Sequence, residues 1–269
     1  MIRIRGASGL GDSVYLRAIA EHFARQGDQV IACSNFPDIF KGSPVTPEPF
    51  RRTDVDLVAH YVTGKTRRGT TQWQDVCISA GALGEVPFRF DWARGSSGMV
   101  ERVRDLAGDL PVVLVHGGRV PMNRTDGFGA KIMPAREAFV RVLGRVGAGC
   151  FLVAVGRHVD RVYGLPCDLD LTDATTVPDL LDLFQDCDGV VGQCSFAVPM
   201  AEVFDRPLLA VWSSEGLADR EPYVRAITPE KVLSKASSRY VVDDVTPEEM
   251  IAAAAAFERH ITKGARCVS

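Results

Sequence analysis

The chain has 269 residues and a mass of 29.2 kDa, with 46% hydrophobic and 24% charged residues. This composition is that of a globular protein with one large core or two smaller ones, and it excludes a disordered chain. The formal net charge of −3 and the pI near 6.0 give no overall attraction to nucleic acid or to an acidic membrane.

Cellular location and metal content can also be predicted from the sequence. The chain begins with a strand instead of the segments of a signal peptide, and no apolar stretch is long enough to span a bilayer. Seven cysteines and five histidines are scattered, and no Cys-x-x-Cys pair occurs. We therefore expect a cytoplasmic protein with reduced thiols, no stable membrane insertion, no metal and no other cofactor.

The first stretch of interest is a short apolar strand that runs into a glycine-containing loop at residues 6–13, followed by a helix from Val14. Gly9 and Gly11 allow a tight turn and a close approach to a ligand. The start of the helix adds unpaired N–H groups and a partial positive charge. We predict a functional site that includes this loop.

This loop departs from the common phosphate-binding motifs. A dinucleotide fingerprint needs a third glycine after Gly9 and Gly11, and an acidic residue at the end of the second strand, where residues 31–35 have none. No Gly-Lys-Ser/Thr sequence follows, so the loop is not a P-loop. Binding of NAD is therefore disfavoured.

Asp12 has two possible roles. Asp12 or Ser13 can cap the helix by accepting hydrogen bonds from its first turn. Alternatively, because a carboxylate would repel a phosphate, Asp12 faces a hydroxyl group from which it takes a proton. The two roles are compatible and both stay open.

Short apolar strands that alternate with helices or long loops predict an α/β fold with parallel sheets covered on both faces. In the first half we predict strands at 28–34, 56–61 and 75–80, a long loop at 35–52 and a charged helix at 99–106. In the second half we predict strands at 111–118, 151–156, 189–192 and 208–212, and helices at 134–146, 176–186, 197–204 and 246–260.

The alternation of strands and helices starts again after residue 108, which predicts two domains with a boundary near that residue. Residues 1–108 would form an N-terminal β/α domain, and residues 109–269 a C-terminal β/α domain. A ligand would lie in the cleft between their strand ends. The last helix, 247–262, would pack back on the N-terminal domain.

Three stretches resemble the family 9 glycosyltransferases, the ADP-heptose:lipopolysaccharide heptosyltransferase type with the GT-B fold. Residues 9–14 resemble the family's Gly-Asp loop, whose aspartate is the catalytic base. Residues 131–134 resemble its Lys-x-Trp-Pro element, and the run 169–208 follows its C-terminal signature. Two features depart from the family: the donor loop reads Cys-Ser-Phe-Ala-Val-Pro at 194–199, and the N-terminal domain is short.

The resemblance implies an inverting, metal-independent glycosyltransferase with two Rossmann-like β/α domains that face a central cleft. Residues 1–108 would be the acceptor-side domain, and residues 109–269 the nucleotide-sugar-binding domain. It would move a sugar from a nucleotide diphosphate sugar to a hydroxyl of an acceptor such as a glycan, with Asp12 as general base. Gly9, Gly11 and Ser13 would lie near the acceptor. The donor-binding residues that it implies are Lys131, Arg119, Arg124, Gly117, Gly118, His158, Gln193, Cys194 and Ser195.

Three alternatives stay open. Because the donor loop has diverged, the chain can be a nucleotide-sugar-binding protein that has lost activity. It can also be a transferase of bacteriophage type that glycosylates a modified base in DNA, since the basic segment 65–68 would then bind DNA in a salt-dependent way. The third alternative is an epimerase that acts on UDP-GlcNAc, because related GT-B folds carry out that reaction.

Overall fold

The structure is a computed structural model that describes residues 1–51, 53–61, 70–82, 84–95, 97–117, 135–157, 165–214 and 228–265. In these residues the chain forms two parallel β-sheets covered by helices. The predicted α/β class is therefore confirmed.

The first sheet is built from four strands of the N-terminal half. They are β1 (Ile2–Arg5), β2 (Val30–Ser34), β3 (Thr46–Pro49) and β4 (Leu57–Val58). Their order is β3-β2-β1-β4, and Ile4 of β1 pairs with Ala32 on one side and Leu57 on the other. Helix α1 (Leu10–Arg25) follows β1 directly and buries Val14, Leu16 and Ile19.

Two predictions in this half are wrong. Residues 75–80, predicted as a strand, belong to helix α2 (Gln72–Ser79). Thr71 caps this helix by accepting a hydrogen bond from the Gln74 N–H, and such a cap outweighs a short apolar run that fits a strand and a helix equally well. The predicted loop 35–52 contains a 3-10 turn at Pro37–Phe40 as well as β3.

The second sheet contains six strands from the C-terminal half. They are β5 (Val112–His116), β6 (Phe151–Ala154), β7 (Leu169–Asp170), β8 (Gly189–Gly192), β9 (Leu208–Trp212) and β10 (Ser238–Val242). Their order is β10-β9-β8-β5-β6-β7, with parallel pairing throughout. All five residues of β5 are buried, as expected of a central strand covered on both faces.

The remaining described helices begin at residue 99 or later. They are α3 (Met99–Ala107), α4 (Arg136–Val146), α5 (Val177–Asp186), α6 (Ala197–Val203), α7 (Pro229–Val232) and α8 (Pro247–Ala265). Threonines cap α5 and α8, with Thr176 accepting from the Asp179 N–H and Thr246 from the Glu249 N–H. Among the described residues, no helix is both long enough and apolar enough to cross a membrane.

The last helix does not pack as predicted. Its buried residues Met250, Ala254, Phe257 and Ile261 join a hydrophobic cluster with α4 and with β5, β8 and β9. The buried face of α8 therefore lies against its own half of the chain instead of the N-terminal half. The physical reason is that α4 and α8 together cover one face of the second sheet, which would otherwise expose apolar side chains to water.

A second hydrophobic cluster runs from the first sheet to the other face of the second sheet, and it includes Ile4, Leu16, Leu114 and Val190. Polar contacts also join the two halves. The Trp92 indole N–H donates to Asp182 Oδ1 at 2.7 Å, and the Gly95 N–H donates to both Asp182 carboxylate oxygens at 3.0 Å. Lys231 Nζ lies 2.6 Å from Asp75 Oδ2 in a buried ion pair.

Helix α3 precedes the predicted domain boundary at residue 108 but packs on the second half. Arg104 Nε lies 2.6 Å from an oxygen of Asp186, and Arg104 Nη1 lies 2.7 Å from an oxygen of Asp188. These ion pairs tie α3 to the end of α5 and the start of β8. The domain limits themselves stay a prediction.

Candidate functional site

The strand order of each sheet reverses at one place. In the first sheet, β2 and β3 extend from one side of β1, and β4 lies on the other. In the second sheet, β6 and β7 lie on one side of β5, and β8, β9 and β10 on the other. Crevices at the carboxyl ends of strands beside such reversals are where parallel α/β sheets bind ligands. The predicted residues Gly9–Asp12, Gly117 and Gln193–Ser195 follow β1, β5 and β8, the strands at these reversals.

The residues after β1 and after β8 meet in space through Gly11. A Cβ atom on Gly11 would lie 3.2 Å from Phe196 Cα and 3.3 Å from Pro199 Cγ. Gly11 therefore lets the first turn of α1 approach the start of α6 closely. The close approach predicted at this glycine was to a ligand and stays a prediction, whereas the structure shows a close approach to Phe196 and Pro199 of the protein itself.

We expect Gly11→Val to lower the free energy of unfolding by about 1–3 kcal/mol, because a backbone atom and a proline ring cannot rotate away from the new side chain. Urea unfolding of the variant measures this. Gly144→Val is a matched control within helix α4, where a Cβ has no neighbour within 4 Å and valine is a slightly better helix former than glycine. Equal effects of the two changes would contradict the packing role of Gly11.

Asp12 occupies the third position of α1, not the N-cap. The helix begins at Leu10, earlier than predicted, and Gly9 is its N-cap. The Asp12 side chain reaches back and accepts a hydrogen bond from the Gly9 N–H, with 3.0 Å between N and Oδ2. The prediction that Asp12 or Ser13 is the N-cap is therefore wrong, although Asp12 does satisfy one free N–H group at this helix start.

Ser13 is buried and has a structural role. Its Oγ donates to the Gly9 carbonyl at 3.1 Å and shares a hydrogen bond of 2.9 Å with Ser34 Oγ at the end of β2. These contacts fix the loop after β1 on the neighbouring strand. Asp12, by contrast, is partly exposed.

Tyr61, which sequence reasoning did not identify, lies within electrostatic range of Asp12. Burial raises the pKa of Tyr61 well above its ordinary value, and the charge of Asp12 raises it further. Cys194 also contributes to this shift, so its partly exposed thiol lies within electrostatic range of Tyr61. The available signal was weak: an aromatic residue shortly after the strand that pairs with β1.

His116 is the second residue that sequence reasoning missed. It ends β5 and is buried, with its Nδ1 atom 2.9 Å from Ser195 Oγ. The Phe196 ring lies edge-on to the imidazole, with 4.4 Å between ring centroids. Ser195 Oγ also accepts the Ala197 N–H at 3.2 Å. The loop after β8 is therefore held against the end of β5, which the register confirms by pairing His116 with Gly192.

The remaining predicted donor residues divide into two groups. Gly117 and Gln193 are buried beside His116 and Cys194. Five others, like the basic segment 65–68, lie outside the described residues: Gly118, Arg119, Arg124, Lys131 and His158. Within the described ranges, no group of three or more His, Cys, Asp or Glu side chains is arranged to hold a metal ion.

No protein-family model matches the chain, and no curated protein matches it in sequence. Among solved structures, it is similar to Escherichia coli ADP-heptose LPS heptosyltransferase II, with a TM-score of 0.64 and 12% identity over 96% of this chain and 98% of that chain. A family 9 glycosyltransferase from Veillonella parvula gives a TM-score of 0.64 and 10% identity, with coverage of 96% and 97%.

The E. coli heptosyltransferase WaaC with ADP gives a TM-score of 0.54 and 12% identity, over 97% of this chain and 98% of that chain. These likenesses extend over both sheets and nearly the whole length of each protein. The chain therefore has the fold of the family 9 heptosyltransferases, which the sequence resemblance predicted.

Proposed function

We propose that the chain is an inverting glycosyltransferase that moves a sugar from a nucleotide diphosphate sugar to an acceptor hydroxyl, with Asp12 as general base. The observation that carries this proposal is the position of Asp12. This partly exposed residue follows a central strand of the first sheet, one residue after the glycine that approaches Phe196 of the donor loop. A base at this position would lie between the acceptor side in the N-terminal half and the donor side in the C-terminal half.

In the proposed reaction, Asp12 removes the proton from the acceptor hydroxyl while that oxygen attacks the anomeric carbon. The bond between the anomeric carbon and the diphosphate oxygen breaks, and the diphosphate leaves from the opposite face with the electron pair. The configuration at the anomeric carbon inverts because the displacement is direct. Asp12 then releases its proton to solvent.

The donor would bind in the C-terminal half, in a cleft that faces the acceptor side. The loop after β8 and the end of β5, held together by the hydrogen bond between Ser195 and His116, form the described part of this region. The resemblance assigns Lys131, Arg119 and Arg124 to the charge of the leaving diphosphate. An adenosine donor is the first to test, since WaaC is solved with ADP and the heptosyltransferase TibC with ADP-heptose.

Thermal unfolding with nucleoside diphosphates and nucleotide sugars tests donor binding. A ligand that binds only the folded state, at a hundred times its dissociation constant, should stabilise it by about 2.7 kcal/mol. We expect one nucleotide to stabilise the native protein and the Asp12→Asn variant equally, and to stabilise Lys131→Ala less. If no nucleotide stabilises the native protein, the transferase proposal fails.

Turnover separates the proposal from its alternatives. With the donor identified, release of the nucleoside diphosphate in the presence of candidate acceptors, including DNA with modified bases, should reveal transfer. Binding without turnover would favour an inactive binding protein instead. The resemblance implies that the reaction needs no metal, so we expect full activity in the presence of a metal chelator. The test is needed because TibC is described as iron-containing.

A further inference from the structure

A buried ion pair joins the two halves of the chain. Lys231 Nζ in α7 lies 2.6 Å from Asp75 Oδ2 in α2, and the two side chains are 10% and 1% exposed. The Thr70 hydroxyl completes the contact, because it accepts from Lys231 Nζ at 3.0 Å and donates to Asp75 Oδ1 at 2.8 Å. Both charges are therefore paired and hydrogen-bonded, as charges removed from water need to be.

On the N-terminal side, the ion pair is connected to the helix that carries Asp12. The Trp73 ring, two residues before Asp75 in α2, stacks on Tyr15 of α1 with 6.2 Å between ring centroids. The Trp73 indole N–H also donates to the Val86 carbonyl at 2.7 Å. Tyr15 lies three residues after Asp12, about one turn further along the same helix. The position of Asp75 is thus fixed relative to α1.

On the C-terminal side, the ion pair is connected to the helix that begins within the donor loop, residues 194–199. Glu202 of this helix, α6, is fully buried. Its Oε1 atom accepts the Ser234 N–H at 2.8 Å and the Lys235 N–H at 3.1 Å, and its Oε2 atom accepts the Ser234 hydroxyl at 2.7 Å. These bonds hold the segment that directly follows α7. The position of Lys231 is thus fixed relative to α6 and the donor loop.

We propose that Asp75 and Lys231 are positioning residues, whose ion pair holds the base Asp12 at the distance and orientation from the donor loop that proton transfer needs. This inference rests on the proposed function, in which Asp12 acts on a donor bound by the other half. Helices α1 and α6 already approach each other closely between Gly11 and Phe196. The ion pair adds a second, directional contact between the same two halves.

Hydrophobic packing does not supply this orientation by itself. The cluster of buried apolar residues that spans the two halves stabilises their association, but burial of apolar surface is non-directional. A buried ion pair adds little net stability compared with apolar side chains of similar volume, and its best-attested use is to select one arrangement. Orientation matters for the reaction because a shift of about 1 Å can lower a rate about a hundredfold.

The test is the double variant Asp75→Leu/Lys231→Met, which removes both charges and fills a similar volume. We expect its urea midpoint to stay near that of the native protein, since no buried charge is left unpaired. At saturating donor and acceptor, kcat should fall by a factor of about 10–100. Thermal stabilisation by ADP should be unchanged, because the predicted donor-binding residues all lie in the C-terminal half. A merely structural ion pair would leave kcat at the native level.

Arg145→Met/Glu258→Leu is the matched control. Arg145 Nη1 lies 2.5 Å from Glu258 Oε2, and this pair joins α4 to α8 within the C-terminal half. The replacement is of the same kind but does not affect a contact between the halves, so kcat should stay at the native level. If the first double variant does not fold, Asp75→Asn serves instead. It keeps an oxygen for the Thr70 hydroxyl and loses the charge, and it should lower kcat with ADP stabilisation unchanged.

Hydrogen exchange of backbone amides is a second measurement, and it does not depend on turnover. At equal global stability, the amides of α2 should exchange faster in Asp75→Leu/Lys231→Met than in the native protein, and those of α8 should not. Unchanged exchange in α2 would refute the positioning role, because the ion pair would then not hold this helix. If the native protein transfers sugar and the variant does so equally fast, the positioning role is refuted and the proposed function stands. If the native protein transfers no sugar, both fail.

Discussion

Asp12→Asn should reduce kcat for sugar transfer by a factor of about 10²–10⁴, the usual contribution of a general base. Asparagine has nearly the same shape and keeps an oxygen that can accept the Gly9 N–H, so the start of α1 should persist. The amide cannot accept the proton of the acceptor hydroxyl. Donor affinity, measured by thermal stabilisation, should stay at the native level while transfer is lost.

The chain offers a matched control for this change. Asp179 occupies the same third helical position in α5 and accepts the Thr176 N–H at 2.9 Å, as Asp12 accepts the Gly9 N–H. Asp179→Asn should cost about 1 kcal/mol of stability and leave kcat unchanged. If Asp12→Asn behaves in the same way, Asp12 is only a helix-terminal acceptor and the base lies elsewhere.

Arg17→Met should lower the free energy of unfolding by about 3–5 kcal/mol, as expected when one partner of a buried ion pair is removed. Arg17 is fully buried, with its Nε atom 2.8 Å from Glu21 Oε1. Its guanidinium also donates to the carbonyls of Ile39 and Asp91 and lies 4.3 Å from the centre of the Phe90 ring. Methionine fills similar volume but leaves these acceptors without a donor.

Arg25→Met is the control that separates the contribution of a buried ion pair from that of an exposed one. Arg25 binds the other oxygen of Glu21 at the same distance, 2.8 Å, but its side chain is 44% exposed. Exposed ion pairs contribute about 0–1 kcal/mol, so the urea midpoint of Arg25→Met should remain near that of the native protein. If the two variants unfold at the same midpoint, the Arg17 contacts do not stabilise the fold as proposed.

The contacts of Arg17 also stabilise a segment outside α1. Arg17 donates a hydrogen bond to the backbone carbonyl of Asp91. The next residue, Trp92, donates to Asp182 in α5 of the other half. Arg17 thus fixes the segment that links the two sheets. Sequence patterns did not predict this, because an arginine in an amphipathic helix is usually on the exposed face.

Features that depend on residues close together in the sequence were predictable from the sequence. The continuous apolar runs at β5, β8 and β9 are typical of parallel strands buried on both faces, and they form as predicted. The caps at Thr176 and Thr246 are local signals of Thr followed three residues later by an acid. The loop with Gly9 and Asp12 was also located from a local pattern, a short apolar strand followed by glycines and a helix.

Contacts between residues distant in the chain were decided by the tertiary structure alone. Tyr61 comes within electrostatic range of Asp12 because β4 pairs with β1, and His116 bonds to Ser195 because β8 pairs with β5. Local periodicity carries no information about which strands become neighbours. The sequence by itself thus determined most of the strands and helices and the candidate base, whereas strand pairing decided which side chains lie near that base.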